Sequence, residues 1–267
     1  MKYKSITVIN DCDSPNDKGR QMIRYISLFG MTPEFIGVHN FSEIEAAGEI
    51  IDALDAQTEF PGIIAVNSAP RHGKAKKWPN GTPFGFLYVG ETLIVTTLDG
   101  YSLSLLKKLK LADKVNVTDI KTVLYSPDIV NEIDEENRMR IVNTQFRSFE
   151  YLPRLAKWLV EGKNIPSEEY SFDNVEDVGN QVWFIDSFGN CKTTMLPEDI
   201  GFEAGKGIDT SYGVIKCYER LKDVPNGETA LIVGSSGYKM HRFVELIVQG
   251  KSAANHLGIE IGDVVLR

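Results

Sequence analysis

The sequence predicts an α/β fold: an N-terminal, mostly parallel α/β sheet domain over residues 1–165, followed by a small C-terminal β-barrel domain over residues 166–267. Three observations carry this expectation. The first part alternates short apolar runs with segments of helical periodicity, residues 162–174 (GKNIPSEEYSFDN) gather breakers and charge, and beyond residue 172 short strand-like runs alternate with turns. A chain of 267 residues is long enough for two such units, each with its own core.

Lys4 to Asn10 reads as a buried strand that ends in the turn-rich DCDSPND, and Gly19 to Phe29 carries Met22, Ile23, Ile26 and Phe29 at helical spacing. Glu34 to His39 is the next strand. Ser42 with Glu45 three residues later has the form of a capping box for a helix through Leu54. Gly62 to Val66 is a third strand, and strands joined by helices imply parallel pairing, because parallel neighbours need a long crossover. Thr92 to Leu98 then leads through Asp99 and Gly100 into the helix-like SLSLLKKLKL, and a helix from Phe149 to Val160 closes the first domain. The second domain reads as QVWFID, the turn SFGN, CKTTML, GVIKCYERL, PNG, ETALIVG and FVELIVQG.

Composition narrows the function classes. Hydrophobic residues make up 42% and charged residues 25%, the balance of a soluble globular chain. The apolar runs are too short to span a bilayer, and MKYKSITVIN enters a strand without a secretory h-region, so a cytoplasmic address is expected, with no membrane partner. Cys12, Cys191 and Cys217 are scattered and lack CxxC spacing, which signals neither a disulfide framework nor a metal site. A net charge of -8 repels a phosphate backbone, so nucleic acid is not an expected partner. One basic cluster, Arg71, His72, Lys74, Lys76 and Lys77, stands against that balance, as an anion contact or a solvated loop.

Ligands of open parallel sheets bind beyond the carboxyl ends of the strands. Asp11 to Asp17, His39 to Phe41, Asn67 to Lys77 and the turn at Asp99 and Gly100 are therefore the candidate loops of the first domain. An aspartate at a strand end, such as Asp11, can accept both hydroxyls of a ribose diol, or can cap its own turn. Asp186 and Asn190 flank Phe188 and bring together a carboxylate, an aromatic face and an amide, either for a ligand or as a hairpin turn. Ser235 and Ser236 lie in what reads as a Gly-bounded turn able to hold a carboxylate. Ala253 and Ala254 permit close backbone approach or an ordinary helix contact.

IDSFGN at 185–190, GSSGY at 234–238 and VELIVQGKSAANHLGIEIGDVV at 244–265 together resemble the S-adenosylmethionine hydroxide adenosyltransferase family, relatives of fluorinase and chlorinase. ITVINDCDSPND is similar to the family's opening strand and aspartate loop, with Asp11 at the aspartate and Cys12 and Asp13 in place of Phe-Gly. FIGVHNFSEIEAAGEI is similar to its strand-His-helix segment, with His39 at the histidine. The resemblance implies a homotrimer with sites between subunits and S-adenosylmethionine or adenosine as the ligand, with no further cofactor and no metal. It also implies that Asp186, Phe188 and Asn190 contact the methionine part and that the segment holding Ala254 reads the adenine.

Family hydrolases activate water with an Asp-Arg-His set. Here VNSAPRHGK puts Asn67 at the aspartate and Lys74 at the arginine, and TQFRSF puts Phe146 at the histidine. An amide is no base, lysine lacks the guanidinium fork, and phenylalanine removes the imidazole. Hydrolysis to adenosine and methionine is therefore not expected by that route. Arg71 and His72 are candidate substitutes. Three readings stay open: a binding protein or C5' substitution enzyme with altered chemistry, an active hydrolase using other residues, and a non-catalytic interaction protein.

Overall fold

The computed structural model describes residues 2–68, 81–98 and 100–266, which divide into two compact units, Met1–Glu176 and Asp177–Arg267. The expected division at 165/166 falls earlier in the chain, because Glu168–Ser171 pairs with Lys114–Thr118 and belongs to the first sheet.

In the first unit, β1 (Ser5–Asn10) is followed by α1 (Pro15–Phe29), β2 (Glu34–Gly37), α2 (Glu43–Ala56) and β3 (Gly62–Asn67). Then come β4 (Phe84–Val89), β5 (Thr92–Thr97), α3 (Ser104–Lys108), β6 (Lys114–Thr118), α4 (Ile120–Leu124), α5 (Glu135–Val142), α6 (Arg147–Glu150), α7 (Leu152–Val160) and β7 (Glu168–Ser171). The sheet order is β2-β1-β3-β5-β4-β6-β7. Pairing is parallel from β2 through β1 and β3 to β5, and antiparallel from β5 through β4 and β6 to β7. The parallel half is buried on both faces, with Val8, Ile9, Ile63, Ile64, Ala65, Val66, Ile94 and Val95 fully covered, as helices on both sides of a sheet require.

Local chemistry sets the helix ends. Ser14 caps α1 by accepting from Asp17 N, Pro15 stands in the first turn, and Gly30 ends the helix at φ +69°. Ser42 caps α2 by accepting from Glu45 N. The helix expected over SLSLLKKLKL is only the short α3, and Lys110 follows it at φ +53°, a conformation that no helix continues. The helix expected from Phe149 to Val160 is two pieces joined at Tyr151, because Pro153 supplies no N–H and starts a new turn.

The second unit holds β8 (Val182–Ile185), β9 (Cys191–Thr193), α8 (Pro197–Ile200), β10 (Gly207–Thr210), β11 (Gly213–Tyr218), β12 (Thr229–Tyr238), β13 (His241–Val248) and α9 (Ala253–Leu257). They form a six-stranded sheet in the order β10-β11-β12-β13-β9-β8, and no pairing joins β10 to β8 among the described residues. Its core is Val182, Cys191, Met195, Cys217, Leu231, Val244 and Leu246, with Ala253 packed from α9. The fold class is thus α/β with a C-terminal sheet domain.

Candidate functional site

Asn10 stands opposite Gly37 on one side and Asn67 on the other, so the carboxyl ends of β1, β2 and β3 are level. Asn10 is fully buried and acts as a hub: its Nδ2 donates to Gln21 Oε1 at 2.5 Å, and its Oδ1 accepts from Cys12 N at 2.9 Å and Asn67 Nδ2 at 3.1 Å. Gln21, also fully buried, donates to Cys12 O at 3.1 Å, which ties α1 to the loop after β1. These bonds satisfy buried amides that would each otherwise cost about 1–3 kcal/mol.

Asp11 follows this hub. Its Oδ1 accepts from Asn67 Nδ2 at 3.2 Å and from the Cys12 thiol at 3.7 Å, and its Oδ2 accepts from Phe41 N at 3.2 Å. Phe41 reaches that position with φ +65°, a strained conformation for a bulky residue, at a cost of about 1–2 kcal/mol. Asp11, His39 to Phe41 and Asn67 are therefore brought to one edge, as the rule for strand ends requires.

His39 is held differently from the capping-box expectation. Glu45, 2% exposed, turns back past Ser42 and accepts from His39 N at 2.9 Å and from His39 Nδ1 at 2.9 Å, leaving the imidazole largely in solvent. Glu43 next to it accepts from Tyr101 N at 2.9 Å. Gly100 makes that approach possible, because a Cβ there, at φ +66°, would lie 1.4 Å from Glu43 Oε2. After β3 and β5, Thr97 Oγ1 donates to Ser68 O at 2.8 Å. Arg71, His72, Lys74, Lys76, Lys77 and Asp99 lie outside the described residues. Phe146 begins α6 with its half-buried ring 5.5 Å from Phe149 and the Arg20 guanidinium 5.2 Å over its face.

In the second unit, the Asp186–Asn190 turn is closed by its own carboxylate. Asp186 Oδ1 accepts from Phe188 N and Asn190 N, both at 2.9 Å, and Oδ2 accepts from Asn190 Nδ2 at 3.0 Å. This is an Asx-type closure that fixes the turn. Phe188 stands out from it, 78% exposed. Gly189, at φ +82°, lets the N-terminus of α9 approach: a Cβ would be 2.0 Å from Ser252 Oγ, and Ala254 N donates to Gly189 O at 3.0 Å. Asp186, Phe188, Asn190 and Ala254 therefore form one locale.

Ser235 and Ser236 are not in a turn. They lie within β12, in the irregular register between Val233 and Gly237, and Ser236 is buried. Glu245 on β13 pairs with Lys192 on one side and Ile232 on the other, and its Oε1 accepts from Ser235 N at 3.3 Å. Pairing with β13 has drawn a glycine-flanked sequence into a bulged strand.

Sequence reasoning missed Asn10, Gln21 and Glu43. A polar residue closing an apolar strand is the one signal that pointed toward Asn10. Cys191 and Cys217 are buried. Burial pushes the Cys191 thiol up to about 12, with the charges of Asp186 and Asp263 adding to it, so this sulfur is no nucleophile at neutral pH. Among the described residues no group of three or more His, Cys, Asp or Glu side chains can hold a metal ion, and no helix is long and apolar enough to cross a membrane.

The whole architecture recurs in solved structures. An uncharacterized conserved protein from Thermotoga maritima superposes with a TM-score of 0.67 at 16% identity, covering 97% of this chain and 98% of that one. A conserved hypothetical protein from Thermus thermophilus gives 0.63 at 15% identity, covering 97% of each. At these identities the likeness is one of fold. No curated protein matches the chain. Residues 180–266, about a third of the chain and all within the second unit, match the family model of the SAM hydroxide adenosyltransferase C-terminal domain, so the second unit is similar to that domain.

Proposed function

We propose that this protein is cytoplasmic and is a divergent member of the SAM hydroxide adenosyltransferase family that binds S-adenosylmethionine or adenosine and has lost ordinary water activation. The observation that carries the reading is the match of residues 180–266 to the family's C-terminal domain. The carboxylate of Asp11, oriented by Phe41 N and Asn67 Nδ2, adds to it. A ribose diol at Asp11 would compete with the Cys12 thiol, 3.7 Å from Oδ1, for its place on the carboxylate. Phe188 and Asn190 meet the methionine part, Asp186 holds their turn, and the backbone at Ala254 meets adenine. The reading invokes no cofactor, metal, nucleic acid or membrane.

Asn67 favours binding over hydrolysis. Its amide nitrogen donates to both Asn10 and Asp11, so this position orients the diol carboxylate, and its amide is too weak a base to take a proton from water.

Calorimetry with adenosine and with S-adenosylmethionine tests the reading. Asp11→Ala is expected to weaken binding by about 1.5–3 kcal/mol. Unchanged affinity removes Asp11 from the site, and failure of the unmodified protein to bind either ligand leaves a non-catalytic interaction protein as the better description. The same reading expects a homotrimer, since the closed symmetric assembly supplies the neighbouring subunit. Light scattering at micromolar concentration checks this, and a monomer contradicts it.

A further inference from the structure

Beside Phe146, four arginines of the first unit converge on one carboxylate and one ring. Glu150, with its side chain 7% exposed, accepts from Arg24 Nη1 at 3.3 Å, from Arg154 Nη1 at 3.1 Å and from Arg140 Nη1. Arg24 lies 4.3 Å and Arg20 4.6 Å over the ring of Phe149, and Arg20 also covers Phe146. Arg20 and Arg24 are one helical turn apart on α1, a like-charge spacing that is itself destabilising. Among the described residues the Arg20 side chain makes no hydrogen bond, and the Arg24 side chain makes only the one to Glu150. Three guanidiniums around a monoanion leave two positive charges over, and Arg20 adds a third, in a chain whose net charge is -8.

We propose that the face formed by Arg20, Arg24 and Arg140 is a binding site for a phosphate group, free or esterified. The surplus charge matches a dianion, and guanidinium forks fit phosphate oxygens bidentately. The two phenylalanine rings hold the Arg20 and Arg24 planes in place, so little side-chain freedom remains to be lost on binding. Arg24 and Arg154, with side chains only 20% and 18% exposed, sit where water screens their charge weakly, whereas Arg20 and Arg140 reach solvent and admit the ligand. A long polyanion meets the acidic remainder of the surface, which confines the fit to a small phosphate. This site does not depend on the nucleoside reading.

Titration calorimetry of the full chain with inorganic phosphate, and separately with methyl phosphate, tests the proposal against sodium chloride at matched ionic strength. Saturable phosphate binding is expected, weakened about tenfold or more in Arg20→Gln and in Arg24→Gln. Arg20→Gln leaves every hydrogen bond of Glu150 in place and removes only the guanidinium contacts with Phe146 and Phe149. Arg220→Gln, in the second unit and paired with Asp223, is expected to bind phosphate like the unmodified protein. Tighter binding of methyl phosphate assigns the site to an esterified ligand, and equal or weaker binding assigns it to the free ion. No saturable binding beyond the chloride control, or an affinity unchanged in both Arg20→Gln and Arg24→Gln, overturns the proposal.

Discussion

Purified protein incubated with S-adenosylmethionine is expected to release adenosine far more slowly than about one turnover per second, the lower range of ordinary enzymes. Displacement of the sulfonium by water needs a group that orients the oxygen and takes its proton as the bond to C5' forms. Asn67 offers an amide already donated to Asp11, and Phe146 offers a ring packed against Phe149 and Arg20. Single back-substitution is not expected to restore turnover, since groups that act as a unit are strongly non-additive. Asn67→Asp alone would set a second carboxylate about where the Asn67 amide now lies, 3.2 Å from Asp11 Oδ1, and like charges so close cannot both ionise readily. The informative change is Asn67→Asp, Lys74→Arg and Phe146→His together, followed by chromatography of adenosine and methionine. If the unmodified protein turns over at one per second or faster, Arg71→Ala and His72→Ala decide whether those residues have taken over. Activity that survives both places the error in the correspondence of Asn67, Lys74 and Phe146 with the family's set.

Glu150→Ala is expected to be the most destabilising change in the first unit among those that remove no apolar contact, by about 3 kcal/mol or more, because it strands three guanidiniums without their shared carboxylate. Its pH signature has a definite sign. Burial raises the Glu150 carboxyl, but the hydrogen bond from Arg140 and the charges of Arg24, Arg140 and Arg154 together outweigh burial and hold it below the ordinary value of 4.5. A folded-state value below the unfolded one contributes stability that is present above the unfolded value and lost as pH falls through the folded value. Denaturant midpoints taken from neutral pH to roughly pH 3 are therefore expected to fall more steeply in the unmodified protein than in Glu150→Gln. Parallel curves for the two would show that the ion cluster contributes no pH-dependent stability.

The parts of the fold legible in the sequence are those in which local and tertiary signals agree. Ser14 and Ser42 cap where the apolar period begins, and β1, β3 and β5 are short buried runs flanked by turn residues. β4 escaped because Phe84–Val89 abuts β5 across Gly90 and Glu91, and the tight hairpin merges with the strand that follows. β6 and β7 are short, carry Lys114, Glu168 and Glu169, and pair with each other only through contacts far apart in sequence. In the site, Asp11 and the loop at His39 to Phe41 were legible from strand ends alone. The Asn10–Gln21 bond was not, since a glutamine in an amphipathic helix reads as solvated until the sheet beneath it is known. GSSG reads as a turn for the same reason that it forms a bulge: small residues tolerate either, and only the partner strand β13 decides.

The closure of the Asp186–Asn190 turn by its own carboxylate has a kinetic consequence. With three donors satisfied inside the turn, the backbone that carries Phe188 has lost its freedom during folding rather than at encounter. A ligand that reaches that ring, as the proposal has it, meets a turn backbone already fixed, and differences in affinity between ligands are then expected as differences in residence time.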